Sequence, residues 1–161
     1  MDLKDKVIVG AVAAAVPLIA MWEGYSPRPY VDVVGVLTDC YGNTKQVSRD
    51  RIRTKEECEA LLNNEVGRIA TNLHKEGLYT DPRTLAAITS FTYNVGDHAY
   101  RNSTLRKRFQ AGLQSEGCAQ LNRWVYGGPA GNKRVIRGLV NRRSAEYKLC
   151  MEGVSNAPNS N

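Results

Sequence analysis

A chain of 161 residues suits one compact domain able to bury its own core, and no internal repeat or long low-complexity block divides it. Lys plus Arg outnumber Asp plus Glu by 22 to 16, a net +6 that favours a polyanionic partner such as nucleic acid, anionic lipid or cell wall. No basic run has the density of a nucleic-acid-binding arm, and Arg101, Arg106, Lys107 and Arg108 read as one solvated helical flank.

The first element is an uncharged run from Val7 to Trp22, with Lys4 and Lys6 before it and Glu23 after it. As a helix it would be about 24 Å long, short of a hydrocarbon core of about 30 Å. Its many alanines and Gly10 carry little apolar area, and Pro17 interrupts the pattern. Three readings stay open: a buried N-terminal helix, a cleaved signal peptide with Ala13-Ala14-Ala15 as the cleavage site, and a weak membrane anchor that later leaves the bilayer.

Residues 24–50 are rich in turn formers, with β-branched residues around Val31, Val33, Val34 and Val36, and read as a small β-hairpin region. Gly35 and Gly42 there look like backbone requirements, and Tyr30 like a packing residue. Thr54 with Glu57 makes a capping box, opening a long helix that carries Leu62, Val66, Ile69 and Leu73 on one face and ends near Gly77. Asp81-Pro82 starts the next helix, whose buried face is Leu85, Ile88, Phe91 and Val95 and whose stop is Gly96. Shorter helices follow from Ser103 to about Gly112 and from Ser115 to Trp124. Gly127 to Gly131 reads as a loop, a last helix spans about Leu139 to Met151, and a polar tail begins at Gly153. The fold class is therefore α+β and mainly α. It divides into an apolar segment over 1–22, a domain over 23–152 and a mobile tail over 153–161.

The residues that carry chemistry cluster early. Glu23 and Asp32 are nine positions apart, and Thr38 follows Asp32 by six. Two carboxyls around one cleft are what cleavage of a glycosidic bond requires, one to protonate the leaving oxygen and one to act on the opposite face of the sugar. Glu23 follows Trp22 and the apolar run, so apolar surroundings are expected to favour its protonated form and a role as general acid. Asp32, on a more open turn, is expected to stay ionised and to orient or deprotonate a water, with Thr38 holding that water. Four cysteines, Cys40, Cys58, Cys118 and Cys150, lack the close spacing of a zinc site, so no metal is expected; in an oxidising compartment they allow three pairings.

The pattern resembles a known family. Glu23-Gly24, Tyr30, Asp32, Gly35, Thr38 and Gly42 are similar to the signature of phage-type lysozymes, the endolysin muramidases. The similarity continues through Ser90-Phe91-Thr92-Tyr93-Asn94-Val95-Gly96, Ser103-Thr104-Leu105, Arg123-Trp124 and Gly138 to Arg143. It covers roughly residues 20 to 151, and the apolar segment adds a resemblance to the signal-anchor-release endolysins of lambdoid phages. One departure is Asn43, where family members commonly carry a histidine.

The resemblance implies a lysozyme-like fold, with a β-hairpin lobe and a helical lobe joined by the long helix. It implies hydrolysis of the β-1,4 bond between N-acetylmuramic acid and N-acetylglucosamine in peptidoglycan, with inversion, for host lysis. Tyr93, Asn94 and Thr104 match substrate-binding positions, and Trp124 and Tyr126 read as core or hinge aromatics. Arg142 and Arg143 are expected to pair with Glu146. Disulfides are implied between Cys40 and Cys58 and between Cys118 and Cys150, since that fold packs these segments together. Peptidoglycan is the expected partner of a monomer that binds no nucleic acid and needs no cofactor. Residues 7–22 would hold it in the inner membrane before release to the periplasm; the alternative is a cytoplasmic enzyme awaiting a holin. Two other activities remain, a lytic transglycosylase and a non-catalytic, membrane-tethered wall-binding module.

Overall fold

The computed structural model describes residues 1–156. Helix α1 (Leu3–Glu23) is capped by Asp2, whose side chain accepts from the Lys4 amide at 2.8 Å. It continues through Pro17: the proline ring costs the Ala13 carbonyl its intrahelical partner, and both residues face solvent, where water replaces it. Ala11, Ala15 and Ile19, four apart, form its buried stripe. Small residues let the helix lie close to its neighbours, and a Cβ on Gly10 would come within 3.1 Å of Pro82. The segment is thus a packed helix here. It also has the length and apolarity of a membrane span.

Strands β1 (Ser26–Val31) and β2 (Leu37–Cys40) pair antiparallel, with Tyr30 opposite Thr38 and Val31 opposite Leu37. Gly35 sits in the connecting turn at φ 84°, a conformation glycine alone adopts without strain. Both halves of the Thr54–Glu57 capping box form at the start of α2 (Lys55–Lys75), and Leu62, Val66, Ile69 and Leu73 are its buried stripe. Helix α3 (Pro82–Val95) begins at Asp81 and stops at Gly96, and every residue from Thr84 to Thr92 is buried. It is the axis of the domain, packed by α1, α2 and α7 (Arg137–Asn156). A short α4 (Asp97–Arg101) precedes α5 (Thr104–Gln110), which Ser103 caps.

Three boundaries differ from the sequence reading. The helix expected over 115–124 is α6 (Gln114–Gln120), and the chain then tightens into a 3-10 turn over Leu121–Arg123. The glycine-rich loop is the tip of a second hairpin, β3 (Tyr126–Gly127) against β4 (Arg134–Val135). The last helix runs on to Asn156, so the tail does not begin at Gly153. Gly153 is buried because α7 crosses the start of α3 there, and an added Cβ would meet the Thr84 hydroxyl and lie 2.6 Å from its amide nitrogen. Of the expected tail, residues 157–161 lie outside the described residues.

Two disulfides join Cys40 to Cys58 and Cys118 to Cys150, the pairs that the resemblance implied. The first staples the hairpin to the first turn of α2; the second ties α6 to α7.

Candidate active site

Glu23 is the last residue of α1, where the chain turns at Gly24 into the hairpin. Its Oε1 accepts a 2.6 Å hydrogen bond from Arg142 Nη1. Its Oε2 faces the backbone of Gly42, close enough that a Cβ there would sit 3.1 Å away, and Gly42 has φ 76°. Glycine is required twice over at that position. The apolar surroundings expected for Glu23 are not what the fold provides, because a guanidinium from α7 reaches it.

Arg142 is itself almost fully buried and fully engaged. It donates through Nε to Glu146 Oε1 at 3.1 Å and through Nη2 to the Ser90 carbonyl at 3.2 Å. Glu146, wholly buried, also accepts from Arg143 Nη1 at 2.6 Å and from the Ser90 hydroxyl at 2.8 Å. Arg143 goes on to the Trp124 carbonyl and to Asn94 Oδ1, with its guanidinium over the Phe91 ring. Burial pushes the Arg143 pKa down while Glu146 opposes the shift. Both arginines pair with Glu146, as expected. The reach of Arg142 to Glu23 and the part of Ser90 have no sequence signal, since an i,i+4 spacing marks a pair within one helix and says nothing of what lies across from it.

Asp32 opens the turn between the strands. Its Oδ1 accepts from the amides of Val34 at 3.0 Å and Val36 at 2.8 Å, which fixes the carboxylate plane and leaves Oδ2 to other partners. Thr38, buried on β2, donates its hydroxyl hydrogen to the Val36 carbonyl at 3.0 Å. Asp32 and Thr38 are thereby held by the two sides of one residue, Val36. Tyr30, expected to pack, is substantially exposed beside them.

A cleft of about 450 Å³ opens at Gly42, lined on one wall by Tyr41, Gly42 and Asn43 and on the other by Leu61, Glu65, Arg68 and Tyr93. Glu23, Asp32 and Thr38 are not in its lining; Glu23 borders it through Gly42. Tyr93 spans it as a strut, donating to the Tyr41 carbonyl at 2.5 Å, and burial raises its pKa. Asn43 braces the same loop by donating to Asp39 Oδ1 at 2.6 Å, and Asp39 holds buried Arg53 at 2.7 Å. Asn94 is exposed, with Oδ1 committed to Arg143. Thr104 lies elsewhere, in a separate cavity with Trp124. Trp124 packs edge-on against Phe91, whereas Tyr126 is exposed and is not a core aromatic. Among the described residues, no group of three or more His, Cys, Asp or Glu side chains is placed to hold a metal ion.

The phage lysozyme family profile matches residues 20–146. The chain belongs to the phage lysozyme family. It is a lysozyme-type enzyme, a peptidoglycan hydrolase of host-cell lysis. Its relatives include the SAR-endolysin of Bacteriophage PS119, 40 % identical over 89 % of each chain. Among solved structures it resembles the muramidase domain of SpmX from Asticaccaulis excentricus, with a TM-score of 0.77 and 25 % identity over 86 % of this chain and 95 % of that one. The active form of the P1 phage endolysin Lyz is also similar, with a TM-score of 0.73 and 26 % identity over 98 % of each chain. The lysozyme-like architecture, a hairpin lobe and a helical lobe joined by α2, follows from these likenesses and from the element order. In this lysozyme the α1 helix carries the candidate acid on its last residue, so whatever moves α1 moves Glu23.

Proposed function

We propose that the enzyme hydrolyses the β-1,4 bond between N-acetylmuramic acid and N-acetylglucosamine, with Glu23 as general acid and Asp32 and Thr38 activating water. Arg142 occupies Oε1 of Glu23, so Oε2, on the Gly42 side, is the oxygen that carries the proton to the leaving group. The observation that carries the reading is the commitment of the Thr38 hydrogen to the Val36 carbonyl. Thr38 Oγ can then only accept, and Asp32 Oδ2 also only accepts. A water between them donates both of its hydrogens and turns a lone pair toward the sugar. Attack by that water, with proton transfer to Asp32, inverts the anomeric carbon. Tyr93 offers a ring face to the glycan, and the Asn94 amide nitrogen a donor. All these groups come from one chain, consistent with a monomer.

We also propose that α1 first anchors the chain in the inner membrane and then withdraws to pack on α3. Its 21 residues reach about 31 Å as a helix, of which the uncharged run Val7 to Trp22 supplies about 24 Å, with Lys4, Asp5, Lys6 and Glu23 left to the two interfaces. The residues that make it a weak span, Gly10, Ala11 and Ala15, are those that allow close packing in the released enzyme. While α1 is in the bilayer Glu23 is held away from Gly42 and Arg142, and the enzyme is silent until it reaches the periplasm.

Glu23→Gln tests the acid directly: purified variant should fail to clear permeabilised Gram-negative cells, and wild-type fragments should carry reducing ends. Anhydro ends in the mass spectra would replace hydrolysis by transglycosylation, and clearing by Glu23→Gln would remove Glu23 from the mechanism.

A further inference from the structure

Between β2 and α2 the usual order of burial is reversed. Ile52 is 56 % exposed, while its neighbour Arg53 is only 8 % exposed. Arg49 and Arg51 face solvent, and Arg51 pairs at the surface with Glu57. Taking a guanidinium out of water is costly, and a buried ion pair adds little stability over an apolar pair of similar volume. Stability alone therefore does not account for burying Arg53 in preference to Ile52. What its donors hold does.

Arg53 donates through Nε to Asp39 Oδ2 and through Nη2 to the Gln46 carbonyl, both at 2.7 Å. Its backbone amide donates to the Pro27 carbonyl of β1 at 3.1 Å, and the next residue, Thr54, caps α2. One residue thus ties together β1, the loop after β2 and the helix between the lobes. Asp39, also buried, takes Asn43 on its other oxygen at 2.6 Å, and the two residues exchange backbone hydrogen bonds at 2.9 and 2.8 Å. The loop so closed is an unfavourable one, with left-handed backbone at Cys40 (φ 54°), Gly42 (φ 76°) and Gln46 (φ 54°). Cys40 and Gln46 carry side chains that disfavour this conformation, which persists only where the surroundings fix it. Asp39 adjoins the first of them, and Arg53 holds the carbonyl of the second.

That loop carries the wall of the candidate acid. Gly42 lies against Glu23 Oε2, Thr38 stands immediately before Asp39, and the Tyr41 carbonyl receives the Tyr93 hydroxyl. Neither Asp39 nor Arg53 lines the cleft, so any effect they have on the reaction passes through the loop. We propose that Arg53 and Asp39 are positioning residues: as a pair they hold the loop that sets Gly42 against the proton-delivering oxygen of Glu23 and fixes the strand end bearing Thr38. A small drift of this loop changes the geometry of proton delivery without removing any group that meets the sugar. The proposal rests on the reading of Glu23 as general acid and adds what keeps its second oxygen in place.

The test measures kcat and KM of the full chain on soluble glycan strands, well below the Tm of each variant. Asp39→Leu/Arg53→Met exchanges the ion pair for apolar side chains, so its Tm should stay close to that of wild type. Its kcat should nevertheless fall about tenfold or more, with a smaller change in KM. Arg53→Lys keeps the charge but not the fork that reaches both Asp39 and Gln46, and its kcat should lie between the two. Arg51→Ala, which removes the exposed pair in the same segment, should keep the wild-type kcat. Wild-type kcat in Asp39→Leu/Arg53→Met would overturn the proposal, as would a loss that disappears on cooling in step with the folded fraction. If the double variant does not fold, Arg53→Lys decides: a reduced kcat in folded protein supports the positioning role, and a full kcat overturns it. Glu23→Gln in the same assay separates the two readings. Activity in that variant removes the acid assignment and this proposal with it, whereas a silent Glu23→Gln beside a fully active Asp39→Leu/Arg53→Met removes the positioning role alone.

Discussion

Arg142 Nη1 lies 2.6 Å from Glu23 Oε1, joining the end of α1 to α7 across 119 positions of chain. The contact makes the candidate acid dependent on a helix at the other end of the sequence. Arg142 meets Glu23, Glu146 and Ser90 at once, which needs a planar fork of donors. Arg142→Lys keeps the charge and cannot span all three. The expected outcome is a loss of about tenfold to a hundredfold in kcat, with KM little changed, because Glu23 loses its orientation and the sugar contacts remain. Stability should fall by about 1–3 kcal/mol, since Glu146 keeps Arg143. Steady-state kinetics beside a denaturant titration separates the two effects; a full kcat with the stability loss would limit Arg142 to a packing role.

The two disulfides should differ in what they protect. Each closes a loop, 18 residues for Cys40–Cys58 and 32 for Cys118–Cys150, and chain entropy assigns about 3 kcal/mol to either. Cys40, however, lies two residues after Thr38 and two before Gly42, and takes a left-handed backbone at φ 54° to turn the chain between them. Cys40→Ser/Cys58→Ser is expected to cut activity at least tenfold even below its unfolding transition. Cys118→Ser/Cys150→Ser should lower Tm and leave cold activity near wild type. Activity that tracks Tm alike in both variants would contradict this.

Much of this architecture is legible in the sequence, because its signals are local. The Thr54–Glu57 box, the Asp81-Pro82 start and the glycine stops after α2 and α3 each depend on a few neighbouring residues. Asp32, Thr38 and the glycines of the hairpin share one short motif for the same reason. The frame beneath the site was hidden because it is tertiary. Nothing near Glu23 in sequence announces Arg142, and the second hairpin has only two-residue strands, too short for alternation to register. Asn94 and Thr104 illustrate the same limit, since a motif position cannot reveal that one side chain is held by Arg143 and that the other opens onto a different cavity.

The end of α7 offers a sharper stability test. Gly153→Ala should be expensive, because the new methyl would overlap the Thr84 hydroxyl and the backbone amide beside it, and neither is the far end of a flexible chain. A loss of about 3 kcal/mol is expected, seen as a lower Tm with helix content retained. Gly138→Ala in the same helix, where an added Cβ meets nothing within 4 Å, serves as the control and should cost nothing comparable. An unchanged Tm for Gly153→Ala would mean that α7 does not pack on α3 as described.

Acid should loosen the joint between the lobes. The Arg68 guanidinium, bonded to Glu65 at 2.7 Å, holds the Glu65 carboxyl below its ordinary range, and Lys45 from the loop after β2 adds to the effect. A carboxyl whose folded pKa is depressed contributes stability above its unfolded pKa and loses that contribution as pH falls through the folded value. The Tm gap between wild type and Glu65→Gln should therefore be widest above about pH 5 and shrink progressively as pH falls below the ordinary carboxylate range of about 4. Because these groups are partly screened, the gap should stay under about 1 kcal/mol, a few degrees at most. A gap that widens in acid would reverse the assignment.

Release of α1 can be separated from its docking by choosing which face to alter. Ala13 and Pro17 are exposed when α1 packs on α3, so Ala13→Leu/Pro17→Leu adds apolar surface without disturbing the released fold. Each leucine should favour the bilayer by roughly 0.5 kcal/mol or more, and together they should retain several times more protein in inner membranes and delay lysis. Once extracted with mild detergent the same variant should have full activity on soluble substrate. Gly10→Leu behaves differently, because its side chain points at Pro82, where even a Cβ would sit 3.1 Å away. It should be retained and also remain impaired after extraction, since α1 cannot seat and Glu23 cannot reach Arg142. Equal recovery of both variants would mean that the seating of α1 on α3 does not assemble the site. Prompt release of Ala13→Leu/Pro17→Leu into the soluble periplasm would mean that apolarity does not hold the chain in the membrane.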